Sequence, residues 1–380
     1  MYKHIIILFL LYSIALKASA ALTYAEVDSI TYQCFQAADW DKLIVTGEQA
    51  LKEKIDFKTL RQRLGYAFFK KGNYYASQKH YEKALEFDKY DAGTHEYLYY
   101  CGLNTGNEAS MRYHAARLTQ EQKEAFRIKA FKPLASIDLE FNYKSNTYDE
   151  RSNPTYFRLG LSSYLGSRFS LYQSVSVYNQ MIDTFPVQQP DYFAMLKYSV
   201  TPGTTFTLAY HYLNTNIDGY KYPGNLVFGQ FSTRISRFEL GVNGSYFKYD
   251  LGKFSQVGVH AKVTLPGKQG IYLKTSLNEM IETSNNRLIF SQTAGIRILK
   301  SLWGEGQLDI GNIQNYCDHN ALYVYNSLDP TVFRTGASLF WGVSKKITFY
   351  GNYLYDSKKI EQTTDHYIQH SFLTGIIWKL

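Results

Sequence analysis

Two different spacings of apolar residues divide the chain. From residue 22 to 131, apolar side chains recur at the three- and four-residue spacing of helices that bury one face, and turn residues are few. From residue 134 onward, apolar and polar residues alternate one by one, as they do in strands with one apolar face. Residues 137–143 and 257–265 are clear examples. The pattern predicts a multidomain α + β protein, in which a helical part precedes an antiparallel sheet.

The helical part repeats itself along the chain. Ala50-Leu51 recurs 34 residues later as Ala84-Leu85, and Gly72-Asn73 recurs at the same distance as Gly106-Asn107. This is the period of the tetratricopeptide repeat (TPR), a helix–turn–helix unit that stacks on its neighbours. Segment 58–91 resembles such a unit, and its candidate packing residues are Leu64, Gly65, Phe68, Gly72, Tyr81 and Ala84. We therefore expect a short array of two or three TPR-like units, with an ordinary small helical bundle as the alternative.

The first twenty residues have the layout of a secretory signal peptide. Lys3 lies in a short basic start, residues 5–16 form an apolar run, and residues 18–20 read Ala-Ser-Ala, which matches a cleavage site. The apolar run is too short to span a bilayer as a helix. The sequence thus predicts a signal peptide at 1–20, a helical domain at 21–131 and a β-domain at 132–380, all of the mature chain being exported.

The connections between the alternating segments themselves alternate in length. Short ones occur at 165–167, 201–203, 235–236, 266–268, 299–301 and 344–346, and longer polar ones at 145–153, 181–190, 215–223, 248–252, 282–286, 313–330 and 357–367. Short turns at one end and long loops at the other are typical of a transmembrane barrel of the outer membrane. The pattern predicts 14 strands. Counts of 12 and 16 stay open because 313–330 could extend a strand or form a separate hairpin, and a soluble β-sandwich is the rival architecture.

The alternation also assigns residues to the two faces of the barrel. Aromatic residues near strand ends are expected to form girdles at the membrane interfaces, at Tyr143, Tyr164, Tyr198, Tyr212, Tyr246, Trp341, Tyr355 and Trp378. Charged residues and one histidine on the opposite face are expected to line the lumen, at Asp138, Glu140, Arg158, Glu239, His260, Lys262, Lys274, Arg297, Glu305, Asp309 and Arg334. A register error of one residue would exchange the two faces.

Composition agrees with a folded, strand-rich protein. The 380 residues include 35 Tyr and 24 Phe but only 8 Pro, and a chain this aromatic can bury enough apolar surface to fold. The formal net charge of +8 could favour nucleic acid, but the predicted export argues against such a partner.

The sequence offers little catalytic chemistry. The three cysteines are too few for a disulfide framework and lack the spacing of metal ligands, and the nine histidines show no zinc motif. Neither a metal nor a cofactor is predicted, and no residue is assigned a catalytic role. Lumen charges of both signs more often pair or line water than catalyse. A barrel enzyme acting on lipid or lipid A, with His211 or His260 as base, remains an alternative.

The order of signal peptide, TPR-like module and C-terminal barrel resembles the YaiO-type outer-membrane proteins of Gram-negative bacteria. It is also similar to the larger outer-membrane exporters of cellulose and poly-N-acetylglucosamine. The resemblance lies in architecture and implies a non-enzymatic barrel in the outer membrane with its helical domain in the periplasm. It implies a channel or a component of an export or envelope-assembly complex, with membrane lipid and an envelope protein as partners. A structural scaffold with a plugged lumen is a further alternative, and substrate and oligomeric state stay open.

Overall fold

The computed structural model describes residues 22–250, 252–267, 269–282, 286–361 and 363–380. It divides into two compact units between Asn104 and Thr105, which we call the helical unit and the barrel unit. The predicted signal peptide lies outside the described residues. Among the described residues, no helix is both long enough and apolar enough to cross a bilayer.

Seven helices precede the sheet in the described part of the chain. They are α1 (Tyr24–Gln36), α2 (Trp40–Lys52), α3 (Lys58–Lys70), α4 (Tyr74–Phe87), α5 (Ala92–Thr105), α6 (Glu108–Ala115) and α7 (Gln120–Ala125). The first residues of α1, α3 and α5 are 34 positions apart, as are those of α2, α4 and α6. The side chains of Asp39, Asn73 and Asn107 cap α2, α4 and α6 by accepting a backbone N–H three residues on. The repeat in the sequence is thus a repeat of helix starts and caps.

Gly65 lies where α3 and α4 approach each other closely. A Cβ atom at position 65 would lie 2.8 Å from the ring of Tyr81, which is itself only 2% exposed. Leu64 and Ala84 are fully buried, and Gly72 takes a left-handed φ of 74° in the turn between the two helices. The candidate packing residues therefore form the interior and the turn of one helical hairpin. Its assignment to the TPR family stays a prediction.

His80 on α4 is a buried ionisable group of this hairpin. Its ring stacks on Phe68, with the ring centroids 5.3 Å apart. Burial lowers the pKa of His80 to about 4, even though Glu48 lies 3.0 Å from Nε2 and favours the charged form. The imidazole is consequently neutral at physiological pH.

The barrel unit contains a closed antiparallel barrel of 14 strands, which confirms the predicted fold class and strand number. The wall strands are β1 (Phe131–Asn146), β2 (Thr155–Leu165), β3 (Phe169–Ile182), β4 (Phe185–Ser199), β5 (Thr204–Ile217), β6 (Tyr220–Ile235), β7 (Phe238–Tyr249), β8 (Gly252–Thr264), β9 (Tyr272–Ile281), β10 (Arg287–Leu299), β11 (Leu302–Ile313), β14 (Thr331–Gly342), β15 (Ile347–Lys359) and β16 (His366–Lys379). Each strand pairs with its neighbour along the chain, and β1 pairs with β16 to close the wall. We call the end that holds Phe131 and Lys379 the proximal end and the opposite end the distal end.

The distal connections differ from the predicted long loops. Strands β3 and β4 join by a tight turn at Ile182–Phe185, and β5 and β6 by a two-residue turn in which Asp218 and Gly219 both have positive φ. The polar stretches at 181–190, 215–223 and 248–252 therefore belong largely to strands. These stretches look like loops in the sequence because strand residues near the end of a barrel can be polar on both faces.

The segment between β11 and β14 forms a structure of its own. Strands β12 (Tyr316–Asp318) and β13 (Tyr323–Tyr325) pair as a separate two-stranded sheet. The alternative of a separate hairpin, left open by the sequence, is therefore the one that the structure adopts. We call residues 314–330 the lumen hairpin, for the position described below.

Candidate functional site in the barrel lumen

The two faces of the barrel wall differ in chemistry. Apolar side chains such as Leu208 and Val259 are more than half exposed on the outer face, whereas their neighbours along each strand are shielded. All charged side chains and the histidine named from the sequence as lumen-lining lie on the inner face. Most of the girdle aromatics lie on the outer face, but Tyr164 does not. It shares the inner face with Arg158, and the guanidinium of Arg112 lies 4.5 Å from the centre of its ring.

The lumen hairpin lies inside the barrel. Cys317 and Ala321 are buried against inward-facing apolar residues of β4 to β7, namely Phe193, Ala209, Leu213, Leu226, Phe228 and Phe247. Tyr316 packs with the inward residues Met280 and Ile289 of β9 and β10. A loop at the barrel end would leave these apolar wall residues facing water. The hairpin therefore supplies a core to this part of the lumen.

Polar contacts fix the hairpin to several sides of the wall. The side chain of Gln256 on β8 bonds to both the backbone N–H and the carbonyl of Cys317, at 3.1 and 3.2 Å. His211 on β5 lies 2.8 Å from the carbonyl oxygen of Ala321. Asn326 donates to Gln189 on β4 at 2.7 Å. Because β6 and β7 separate β8 from the neighbouring strands β4 and β5, the hairpin contacts a wide arc of the wall rather than one strand pair.

Glu140 on β1 links the hairpin to a buried charge network. Its carboxylate accepts a hydrogen bond from the Tyr323 hydroxyl, which lies 2.9 Å from both oxygens, and another from Tyr350 at 2.9 Å. Arg158 donates to Glu140 at 2.7 Å and to Asp138 at 3.1 Å. The single guanidinium thus pairs with two carboxylates that are at most 7% exposed.

A second set of charged groups holds the end of the hairpin near the distal rim. Arg151 donates to Asp329 at 2.8 Å, and Tyr367 donates to the same carboxylate at 3.1 Å. Deeper in the lumen, Arg334 donates to Asp356 at 2.6 Å and lies 4.2 Å from the ring centre of Tyr325. The hairpin is thus tied at both its strands and its C-terminal stem.

The two histidines considered as bases lie in the lumen and are at most 7% exposed. His211 Nε2 lies 3.8 Å from Asp191, while its other ring nitrogen faces the hairpin backbone. His260 Nε2 lies 3.8 Å from Glu239. Neither ring lies on the outer, apolar face of the barrel wall. Within the described ranges, His, Cys, Asp and Glu side chains do not gather in a group of three or more that could hold a metal ion.

Helix α6 contacts the proximal rim of the barrel. Arg112, which is 9% exposed, donates to the backbone carbonyls of Gly166 and Phe169 in the β2–β3 turn. Asn107 donates to the carbonyl of Pro202 in the β4–β5 turn at 3.1 Å. The chain segment that leads into the barrel is therefore fastened to its proximal turns.

The sequence did not single out the hairpin side chains that make these contacts. Tyr316, Tyr323 and Tyr325 alternate with smaller residues in a stretch that looks like a polar loop. The one available signal in the sequence is that aromatic residues are concentrated in a loop. A loop surrounded by water would not favour so many aromatic side chains. Their partners on β1, β9 and β14 depend on the path of the loop and could not be read from spacing.

Comparisons with known proteins give no family and only distant structural likenesses. No family model matches the sequence, and no curated protein matches it. Among solved structures, the chain is similar to the CymD monoaromatic hydrocarbon channel (8% identity, TM-score 0.44, 73% of this chain and 92% of that one). It is also similar to the toluene transporter TbuX of Ralstonia pickettii (7%, 0.44, 65% and 90%) and to a bacterial polysaccharide outer membrane secretin (7%, 0.42, 66% and 99%). At these identities and TM-scores, the likenesses assign no substrate to this chain.

Proposed function

We propose that this protein is an outer-membrane channel whose lumen is closed at rest by residues 314–330. The observation that carries the proposal is the hairpin itself, which is bonded to β1, β4, β5 and β8 across the barrel interior. Passage of a solute requires the hairpin to move. No part of the mechanism calls for catalysis, and we assign the protein no enzymatic activity.

The exterior of the barrel supports a membrane location. A closed barrel satisfies the backbone hydrogen bonds of every wall strand, which is the condition for crossing lipid with strands. Outward-facing residues along β5, β7 and β8 are apolar and half exposed, for example Leu208 at 58% and Val242 at 53%. Such a surface would be costly in water and is favourable in hydrocarbon. Trp341 and Trp378, near the proximal ends of β14 and β16, are about half exposed on the same face, where interfacial aromatics belong.

The helical unit supports a role in recognition. Its helix starts repeat every 34 residues, and stacked helical pairs of this kind present surfaces that bind peptides or proteins. We propose that the unit is TPR-like and periplasmic and that it binds an envelope partner. We propose on this basis that the protein acts within an export or envelope-assembly complex.

Single-channel recording tests the channel. Ile313 and Thr331 are direct register partners, so an Asn-Gly turn can replace the hairpin between them without changing the wall. The full chain should stay mostly closed in planar bilayers, whereas the hairpin-shortened variant should conduct steadily. Heat-modifiable gel migration of both proteins verifies that each barrel is folded.

A structural scaffold is the second candidate, because the apolar contacts of Cys317 and Ala321 make the hairpin part of the core. A folded hairpin-shortened variant that never conducts would favour the scaffold over the channel.

A further inference from the structure

Two lysines face each other on the inner wall near the proximal end of the barrel. Lys262 on β8 and Lys274 on β9 are direct cross-strand partners on the lumen face. Like charges in directly opposite positions destabilise a sheet. A pair of this kind therefore needs an anion nearby.

The neighbouring carboxylates are already engaged by other groups. Glu239 accepts two hydrogen bonds from Arg234, at 2.6 and 3.1 Å, and lies 3.8 Å from His260. Glu305 accepts one bond each from Tyr272 and Trp303. Among the described residues, neither lysine has a carboxylate within ion-pair distance, which is 4 Å.

Other charged groups do not remove the excess of positive charge. Asp318 of the hairpin interacts with Lys274 electrostatically, but it pairs with His319 at 3.0 Å. Arg234 leaves its buried Nη1 without a hydrogen-bond partner in the described part of the chain. This side of the lumen thus has more hydrogen-bond donors and positively charged groups than the nearby acceptors and carboxylates can pair with.

The lysines lie beside a rigid aromatic pair. The rings of Tyr272 and Trp303 are stacked 5.9 Å apart, and both donate at 2.8 Å to the same oxygen of Glu305. Gly295 makes room for them, because a Cβ atom there would lie 2.3 Å from the Tyr272 ring and 2.8 Å from Trp303. The ammonium of Lys262 lies 3.8 Å from the centre of the Tyr272 ring. This contact positions Lys262, and Glu239, its direct register partner on β7, is shared with Arg234 and therefore offsets only part of the positive charge.

We infer that Lys262 and Lys274 form a binding site for anionic groups on the lumen wall, on the proximal side of the hairpin. The ligand class is a solute or polymer that carries carboxylate, phosphate or sulfate groups, which ammonium groups bind as point charges. The inference rests on the proposed channel and specifies that the substrate of this channel is negatively charged. The stacked pair fixes the position of Lys262, and the apposed Lys274 supplies the second charge.

The hairpin-shortened channel allows a test in planar bilayers under a KCl gradient. We expect chloride to be preferred over potassium, and dextran sulfate, but not uncharged dextran, to block the current. Lys274→Gln should lower the ratio of chloride to potassium permeability about fivefold. This is the factor by which one unit charge, about 4 Å from an ion in water, changes the stability of that ion. Lys262→Gln combined with Lys274→Gln should lower the ratio further and abolish block by dextran sulfate. Lys248→Gln, which removes a lysine exposed on the outer face of β7, is the matched control and should change neither property.

The outcomes separate this inference from the proposed function. If the hairpin-shortened channel never conducts although it migrates as a folded barrel, the channel proposal itself fails. If it conducts but shows no chloride preference, or if the lysine variants leave selectivity and block unchanged, the anion site is wrong and the channel stands. Equal block by charged and uncharged dextran would also overturn the anion site. Lys274→Gln alone keeps the test decisive if the double variant misfolds, because it leaves the backbone carbonyl that accepts from Gln292 in place and the Lys274 ammonium forms no ion pair with another described residue.

Discussion

Tyr323→Phe should loosen the hairpin without disturbing the wall. The substitution keeps the ring and removes only the hydroxyl, which lies 2.9 Å from both oxygens of Glu140 and donates to this carboxylate. Glu140 retains its bonds to Arg158 and Tyr350, so no buried charge is left unpaired. A hydrogen bond to a charged group contributes about 1.5–3 kcal/mol. The equilibrium between hairpin-in and hairpin-out states should therefore shift about 10- to 150-fold toward the open state.

Single-channel recording of the full chain measures this shift as open probability. Tyr325→Phe is the matched control, because it makes the same chemical change in the same hairpin. The Tyr325 ring packs on Tyr316 and Arg334, and its hydroxyl makes no hydrogen bond with another described residue. We expect a higher open probability for Tyr323→Phe and an unchanged one for Tyr325→Phe. Equal open probabilities in the two folded variants would refute the reasoning that Glu140 latches the hairpin.

Three further predictions concern stability. Burial lowers the pKa of His80 to about 4, so the unfolded state binds a proton at a higher pH than the folded state does. The free energy of unfolding of the helical unit should therefore fall by about 3 kcal/mol as the pH drops from about 6.5 to about 4. Hydrogen exchange of α4 should show this loss in the full chain but not in His80→Gln. Gly65→Ala should destabilise α3 and α4 by about 1–3 kcal/mol in the same exchange experiment, since its Cβ would press on the buried Tyr81 ring; slower exchange would contradict this packing. Asp356→Ala should leave Arg334 buried without its carboxylate and lower the free energy of unfolding by about 3–5 kcal/mol. The temperature at which gel migration changes should therefore fall. An unchanged temperature would argue against the ion pair.

The strand number could be predicted from the sequence because alternation and tight turns are local properties. A strand such as β8 shows its two faces in consecutive residues, and Pro266-Gly267 marks its end. The length of the distal strands could not be predicted in the same way. In β4, Gln188 and Gln189 look like loop residues, yet Gln189 points inward and is 8% exposed because Thr215 and Asn326 bond to it.

The position of the hairpin depends on contacts that no local pattern encodes. Tyr323 and Glu140 are 183 residues apart, and Cys317 and Gln256 are 61 apart. A tyrosine is equally suited to a membrane interface and to a wet lumen, because it combines an apolar ring with a polar hydroxyl. This is why Tyr164 could be assigned to the girdle although it lies on the inner face beside Arg112. Face assignment by alternation fails where both faces accept the same side chain.

The central claim is that residues 314–330 lie inside the barrel, and thiol labelling of Cys317 tests it most directly. Cys317 is 3% exposed, and the two other cysteines, Cys34 and Cys101, can be replaced by serine. In unheated, folded protein from membranes, a water-soluble maleimide should label Cys317 very slowly. After heating has unfolded the barrel, the same thiol should be labelled at once. Rapid and complete labelling of Cys317 in the unheated, folded barrel would show that the segment is a free external loop, and the closed lumen would be contradicted.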